Sequence, residues 1–201
     1  MKKLPLSLLV VLATVLFGSK SPTYDLGDDV ANFTLKNVDG KMVSLTDYTS
    51  SKGVIVIFDC NTCPFSRAYN DRIIALNDRY ASKGFPVITI NANNPELSPG
   101  DSFKEMASRA KKKNYTFPYL VDETQSVAKS FGATNTPHVF VLKNDAQHFK
   151  VAYIGTIDNN SRDGSAATKK YVEEAVDALL TDKEVPTAKT KAIGCGIKWK
   201  E

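Results

Sequence analysis

The feature that most restricts the fold of this chain is an uninterrupted apolar run that leads straight into two cysteines and a proline. Residues 54–58 are Val, Ile, Val, Ile and Phe, a pattern typical of a central strand buried on both faces. Cys60, Cys63 and Pro64 follow, and proline is favoured in the first turn of a helix. The pattern therefore predicts a strand that passes directly into a helix at the cysteines.

An amphipathic helix is predicted after Pro64, and it ends at Gly84. Its apolar side chains recur three or four positions apart, at Phe65, Tyr69, Ile73, Leu76 and Tyr80. A second apolar run, residues 87–90, follows. A strand, a helix and another strand in this order predict two parallel neighbours joined by a right-handed crossover.

The rest of the chain alternates between the same two patterns. An Asp-Gly turn at residues 39–40 predicts a hairpin between residues 33–35 and 42–45. Further predicted elements are a helix starting at Asp101 or Ser102, a strand at 117–121, a helix at 124–131, strands at 138–142 and 149–154, and a last helix around 172–180. Pro118 favours an edge or a strand start. The fold class is α/β, with a central mixed sheet flanked by helices and an N-terminal β-hairpin extension.

Three segments are expected. Residues 1–21 carry Lys2 and Lys3 before an uncharged run at 6–17, which predicts an export signal, with an uncleaved anchor or a buried helix as alternatives. Residues 22–185 form one domain, and residues 186–201 form a tail. The protein is thus expected to be periplasmic or extracellular, in an oxidising compartment, and to touch a membrane only through an uncleaved N-terminal segment.

Charge and cysteine content exclude several classes of function. The 26 Lys and Arg residues nearly balance 22 Asp and Glu, so the surface has no strong basic character that would indicate nucleic-acid binding. Three cysteines are too few for a disulfide scaffold or a four-thiolate zinc site, and there are two histidines. We therefore predict no metal and no cofactor.

The cysteine pair is the expected reactive site. The first N–H groups of a helix are unpaired and carry partial positive charge, which stabilises a thiolate. With Cys60 at this cap, its pKa should fall below the value of about 8.5 for a free cysteine, and Cys63 lies within disulfide reach. A structural disulfide or half of a metal site are the alternatives.

Four strings carry a resemblance to a known family: FDCNTCPFS, FPYLVDETQSVAKSFGA, TPHVF and GCGIKW. From about Asp25 onward the chain resembles proteins with the thioredoxin-like fold, on its redoxin branch, and more closely the peroxiredoxin-like proteins of the AhpC/TSA superfamily that carry a CxxC-P motif. The resemblance implies a thiol-disulfide oxidoreductase that acts on protein thiols or disulfides and exchanges electrons with a further redox protein.

The resemblance also assigns site residues. Cys60 corresponds to the attacking cysteine and Cys63 to the resolving one. Pro137 corresponds to a cis-proline that faces them, and Thr136 offers its backbone to the substrate chain. Asn61 and Thr62, between the cysteines, complete the expected substrate contacts.

Departures from the family pattern keep other functions open. Val54 and Asp59 stand where thioredoxins carry a buried aspartate and a tryptophan, so proton transfer is expected to use Asp59 or a water. Ile57 replaces the threonine of the peroxidase signature, which makes a thiol peroxidase with Cys60 as peroxidatic residue a secondary alternative. Further alternatives are a module resembling SCO-type copper chaperones, with His138 joining the two cysteines as ligands, and a non-catalytic scaffold.

The odd cysteine, Cys195, lies in the tail beside Ile197 and Trp199. The tail is expected either to dock, with these two side chains covering apolar surface, or to present Cys195 as a third redox partner.

Overall fold

The computed structural model describes residues 23–201, so the predicted export signal or anchor lies outside the described residues. The strands are β1 (Asp29–Val30), β2 (Thr34–Asn37), β3 (Met42–Ser44), β4 (Gly53–Phe58), β5 (Val87–Asn91), β6 (Tyr119–Val121), β7 (Asn135–Thr136), β8 (His138–Asp145), β9 (His148–Gly155) and β10 (Cys195–Gly196). The α-helices are α1 (Pro64–Tyr80), α2 (Phe103–Lys112), α3 (Ser126–Phe131) and α4 (Tyr171–Leu180). No helix in this part of the chain combines the length and the hydrophobicity that a membrane crossing requires.

Eight strands form one mixed sheet in the order β1-β9-β8-β4-β5-β6-β2-β3. The pairs β4·β5 and β5·β6 are parallel and the others are antiparallel. All six residues of β4 are buried, as expected for a strand with neighbours on both sides and covered faces. The predicted mixed sheet, its flanking helices and the N-terminal hairpin are confirmed.

The side chains of β4 alternate between two apolar cores. Val54, Val56 and Phe58 face a cluster that contains Phe131 of α3 and Phe140 of β8. On the other face, residues such as Ile55 and Ile57 pack against α1 and α4, whose apolar stripes include Tyr69, Ile73, Val172 and Val176. Because β4 is fixed by both cores, the residues that follow it start from a rigid position.

The sheet must curl strongly, because three residues connect β1 at one edge to β2 near the other. The step from Val30 to Thr34 spans at most about 14 Å of extended chain. In a flat sheet, six strand spacings would separate β1 from β2 by about 29 Å. Residues 31–33 thus bring the two ends of the sheet together.

The structure refines four predictions. β6 lies between β5 and β2, so Pro118 marks a strand start and not a sheet edge. The N-cap of α2 is Ser102. In α4, Leu179 and Leu180 are partly buried, whereas Val172, Ala175 and Val176 are fully buried. The tail, residues 186–201, packs onto the domain: for example, its strand β10 pairs with β7.

Candidate active site

The two CxxC cysteines lie in the connection between β4 and α1, where the sheet meets the helix. Helix α1 begins at Pro64, and its N-cap is Cys63, which has an extended backbone with φ −68° and ψ 125°. The prediction that Cys60 caps the helix is wrong. Proline fixes the first helical turn at position 64, and Asn61 and Thr62 form a separate turn before it.

The structure also reverses the predicted pKa shift of Cys60. A hydrogen bond between the two side chains, burial and the charge of Asp59 raise the pKa of Cys60. The pKa of Cys63 is lowered to about 4, chiefly by the hydrogen bond from Cys60 and further by hydrogen bonds from Cys195 and from the Ser66 backbone. The Ser66 backbone is the helix contribution among these causes, and together they favour Cys63 over Cys60 as the thiolate of the reduced pair.

Cys60 is buried and is surrounded by hydrogen-bonding groups. Its sulfur lies 3.1 Å from the Thr136 hydroxyl and 3.9 Å from the Ser66 hydroxyl, and it accepts the Cys63 N–H at 3.4 Å. The Thr136–Pro137 peptide bond is cis, as expected. Thr136 thus contacts both sulfurs, since its carbonyl oxygen lies 3.0 Å from the sulfur of Cys63.

The turn between the cysteines is held by Asp101, which lies in the loop before α2. Its carboxylate accepts the Asn61 N–H at 2.6 Å and the Thr62 hydroxyl at 2.7 Å. Burial opposes ionisation, but hydrogen bonds from Ser98, Asn93 and Thr62 bring the pKa of Asp101 below its usual value. Asp101 therefore fixes both predicted substrate-contact residues; of these, Asn61 is half-buried and Thr62 is exposed.

A buried ion pair lies behind Cys60. The Arg109 guanidinium is 3.2 Å from the Asp59 carboxylate, but its N–H groups donate to the Cys60 carbonyl and to the Asn70 side chain. Among the described residues, the two Asp59 oxygens are the buried side-chain atoms that lack a hydrogen-bond partner. Burial raises the pKa of Asp59, and Arg109 opposes this rise. A buried carboxyl group with a raised pKa, directly before Cys60 in the chain, is a candidate for proton exchange at this site.

The tail docks beside the cysteines. Cys195 pairs with Thr136 in the antiparallel bridge between β10 and β7, and its sulfur lies 2.6 Å from that of Cys63. Ile197 is buried in the core and Trp199 packs against it, which confirms the predicted docking. None of the three cysteines forms a disulfide in this structure.

The ligand set of the copper alternative is not assembled. His138 accepts the Thr134 N–H through Nδ1 at 3.3 Å, and its ring packs on Phe140 with the centroids 4.7 Å apart. Residues 23–201 contain no group of three or more His, Cys, Asp or Glu side chains placed to hold a metal ion. Burial lowers the pKa of His138 to about 4, so this histidine is neutral near pH 7.

The sequence interpretation missed two of the residues that build this site. Asp101 was expected as a helix cap, and no local pattern links it to a turn 40 residues earlier. Arg109 lies on α2 among other basic residues that reach solvent, and it differs from them only by its burial. Asp59, by contrast, was recognisable as a charged residue directly after a buried strand.

Comparisons with known proteins agree with this geometry. The AhpC/TSA family matches residues 26–153. A relative named thiol-disulfide oxidoreductase ResA, from Bacillus cereus, is 24% identical over 161 residues, which cover 73% of this chain and 87% of the relative.

Two solved structures have similar folds. An uncharacterized conserved protein from Geobacillus kaustophilus is 36% identical, with a TM-score of 0.80 over 89% of this chain and 94% of that one. A putative thiol:disulfide interchange protein DsbE from Chlorobium tepidum is 22% identical, with a TM-score of 0.61 over 79% of this chain and 99% of that one. The second likeness concerns the fold alone, and it confirms the expected thioredoxin-like fold.

Proposed function

The chain belongs to the AhpC/TSA family, and on that premise we propose that it is a thiol-disulfide oxidoreductase that acts on protein thiols or disulfides through Cys60 and Cys63. The observation that carries the proposal is the placement of two buried cysteines at a strand-to-helix junction, beside Thr136 and the cis-proline Pro137, with one thiolate stabilised. Relatives named as thiol-disulfide oxidoreductases support the same reaction class.

The exchange needs one sulfur to attack and the other to release the product. In the resting protein the negative charge lies on Cys63, which is stabilised partly by the side chain and the N–H of Cys195. When a substrate displaces the tail, these contacts are lost. A proton can then shift from Cys60 to Cys63 across their hydrogen bond, which leaves Cys60, the attacking residue implied by the family resemblance, as the thiolate.

The attack breaks the substrate disulfide and forms a mixed disulfide on Cys60. One substrate sulfur leaves as a thiolate and takes the proton released by Cys63. Cys63 then attacks Cys60, so that the second substrate sulfur leaves and the Cys60–Cys63 disulfide remains. The substrate gains two electrons and the protein loses two, which a further redox protein must restore. We propose that Asn61 and Thr62 contact the bound chain.

Single substitutions test these roles on insulin disulfides. We expect Cys60→Ser to abolish exchange with insulin, because the sulfur that attacks a protein substrate is absent. Cys63→Ser should accumulate mixed disulfides that are visible on non-reducing gels, because the adduct on Cys60 is not resolved. Thermal unfolding of both variants serves as the folding control. Equal trapping by the two variants would contradict the assignment of Cys60 and Cys63.

We further propose that the substrates are exported proteins. Lys2 and Lys3 followed by the apolar run at 6–17 support delivery to an oxidising compartment, where protein disulfides form. Cell fractionation with an antibody against the domain tests this, and accumulation in the cytosol alone would contradict it.

A further inference from the structure

The short strand β10, which carries Cys195, lies along the backbone edge where a substrate chain is expected to pair. We propose that this strand is a built-in substrate mimic and that Cys195 is a third exchange cysteine, which forms a disulfide with Cys63 in the oxidised protein. The inference rests on the proposed function, since it uses the same pair of cysteines.

The sulfur positions support the new disulfide. The sulfur of Cys195 lies 2.6 Å from that of Cys63, against about 2.05 Å in a disulfide. The Cys195 N–H also points at the same sulfur, at 3.3 Å. The Cys63 side chain is also hydrogen-bonded to that of Cys60, so Cys63 is within reach of both other cysteines.

The backbone of the tail is fixed on both sides of Cys195. On the N-terminal side, the Asn135 side chain donates to the Gly194 carbonyl at 2.9 Å. On the C-terminal side, the Ile197 N–H donates to the Thr134 carbonyl at 3.1 Å. Cys195 is thus presented by a defined β pairing, not by a freely moving chain end.

Residues further along the tail anchor this pairing. The Lys198 N–H donates to the Asn93 side chain at 2.9 Å, and the Lys198 carbonyl accepts from Asn94 N–H and from the Gln125 side chain. Ile197 is buried in the same core as Phe58. This anchor begins at Ile197, two residues after Cys195, so the strand can be displaced locally while the rest of the tail stays attached.

The proposed step is a disulfide isomerisation. In the oxidised protein, the Cys195 thiolate attacks the sulfur of Cys63 in the Cys60–Cys63 disulfide. The Cys63–Cys195 bond forms, the Cys60–Cys63 bond breaks, and Cys60 leaves as a thiolate that takes up the proton lost by Cys195. No electrons are gained or lost overall, and no further oxidant is needed. The product closes the substrate edge covalently and leaves Cys60 as a free thiol.

Peptide mapping of the oxidised protein tests the proposal. Trypsin leaves Cys60 and Cys63 together in the peptide 53–67 and Cys195 in the peptide 192–198, so a Cys63–Cys195 disulfide joins two peptides. Wild type, Cys60→Ser and the matched variant Cys63→Ser are oxidised with a low-molecular-weight disulfide at low protein concentration. They are then alkylated and digested with trypsin without reductant, and the peptide masses are measured by mass spectrometry. Exchange with insulin is measured on the wild type in parallel.

We expect the joined peptides in the wild type and in Cys60→Ser, which should lose two thiols per chain. Cys63→Ser should lose no thiols to an intramolecular disulfide, because the sulfur that can bond to either Cys60 or Cys195 is absent. An internal disulfide in peptide 53–67 of the wild type, with no joined peptides in Cys60→Ser, would overturn the inference and leave the proposed function standing. If the wild type forms no intramolecular disulfide and does not exchange with insulin, both this inference and the proposed function are overturned.

Discussion

Two glycines on either side of Cys195 allow the docking of the tail to be tested without removing a cysteine. A Cβ added at Gly194 would overlap the carbonyl oxygen of Thr136, whereas a Cβ added at Gly196 meets nothing within 4 Å. Gly194→Ala should therefore push β10 away from β7. Gly196→Ala changes the same strand by the same methyl group, and it is the matched control.

The size of the effect follows from the packing. An added methyl group that overlaps a fixed backbone costs about 1–3 kcal/mol. Burial of Ile197 contributes about 1.5–3 kcal/mol to tail docking. The substitution therefore weakens the docking of β10, while Ile197 still holds the rest of the tail. Because about 1.4 kcal/mol corresponds to a factor of ten, the population with an undocked strand should rise by about five-fold to about 140-fold.

Alkylation of the reduced protein measures that population. Cys60 and Cys63 are 1% and 2% exposed, so the reagent reaches them only when the strand opens. We expect the peptide 53–67 to take up its first iodoacetamide group at least five times faster in Gly194→Ala than in wild type. Gly196→Ala should match wild type. Equal rates in all three proteins would show that β10 does not cover the cysteines.

Three further predictions concern ionisation and stability. Thiolate absorbance at 240 nm should rise near pH 4 in the reduced protein, because the pKa of Cys63 is lowered to about 4. This absorbance step should be absent in Cys63→Ser and should move to higher pH in Cys60→Ser. A first step above pH 8 in the wild type would contradict the lowered pKa. Burial lowers the pKa of His138 to about 4, so the unfolded chain takes up the proton first and the free energy of unfolding should fall by up to about 3 kcal/mol as pH drops from about 6.5 to 4. Urea titrations should show a smaller fall for His138→Asn, and an equal fall would refute the argument. Deletion of residues 193–201 removes an apolar anchor and its hydrogen bonds, so the free energy of unfolding measured in urea should fall by about 2–4 kcal/mol. Cys195→Ser should lower it by less than about 1 kcal/mol. Equal losses in the two variants would mean that the tail is not an anchor.

Local patterns predicted most of the fold because the relevant forces are local or periodic. The apolar run at 54–58 and the spacing of apolar residues from Phe65 to Tyr80 indicate which faces are buried. These two patterns predict β4 and α1. The cap of α1 is Cys63 and not the predicted Cys60, three residues earlier, since a turn held from a distant loop separates the strand from the helix. Asp101 holds this turn by accepting the Asn61 N–H, and no local sequence pattern connects Asp101 to the cysteines.

The tail shows a second limit of sequence patterns. Glycines beside Cys195 and the apolar Ile197 predict docking, but the docking position depends on a pairing of two residues with β7. Such a short strand has no periodicity of its own. The contact between Cys195 and Cys63 is therefore a tertiary feature that only the assembled fold reveals.

The curl imposed by residues 31–33 also affects how the protein behaves in a crowded compartment. Joining the two ends of the sheet leaves β1, with two residues, and β3, with three, as its outermost strands. Short edge strands offer little template for edge-to-edge pairing, which is a common start of aggregation. A neighbouring polypeptide in extended conformation gains few hydrogen bonds by adding to either end of this sheet. The connection between β1 and β2 therefore favours colloidal stability.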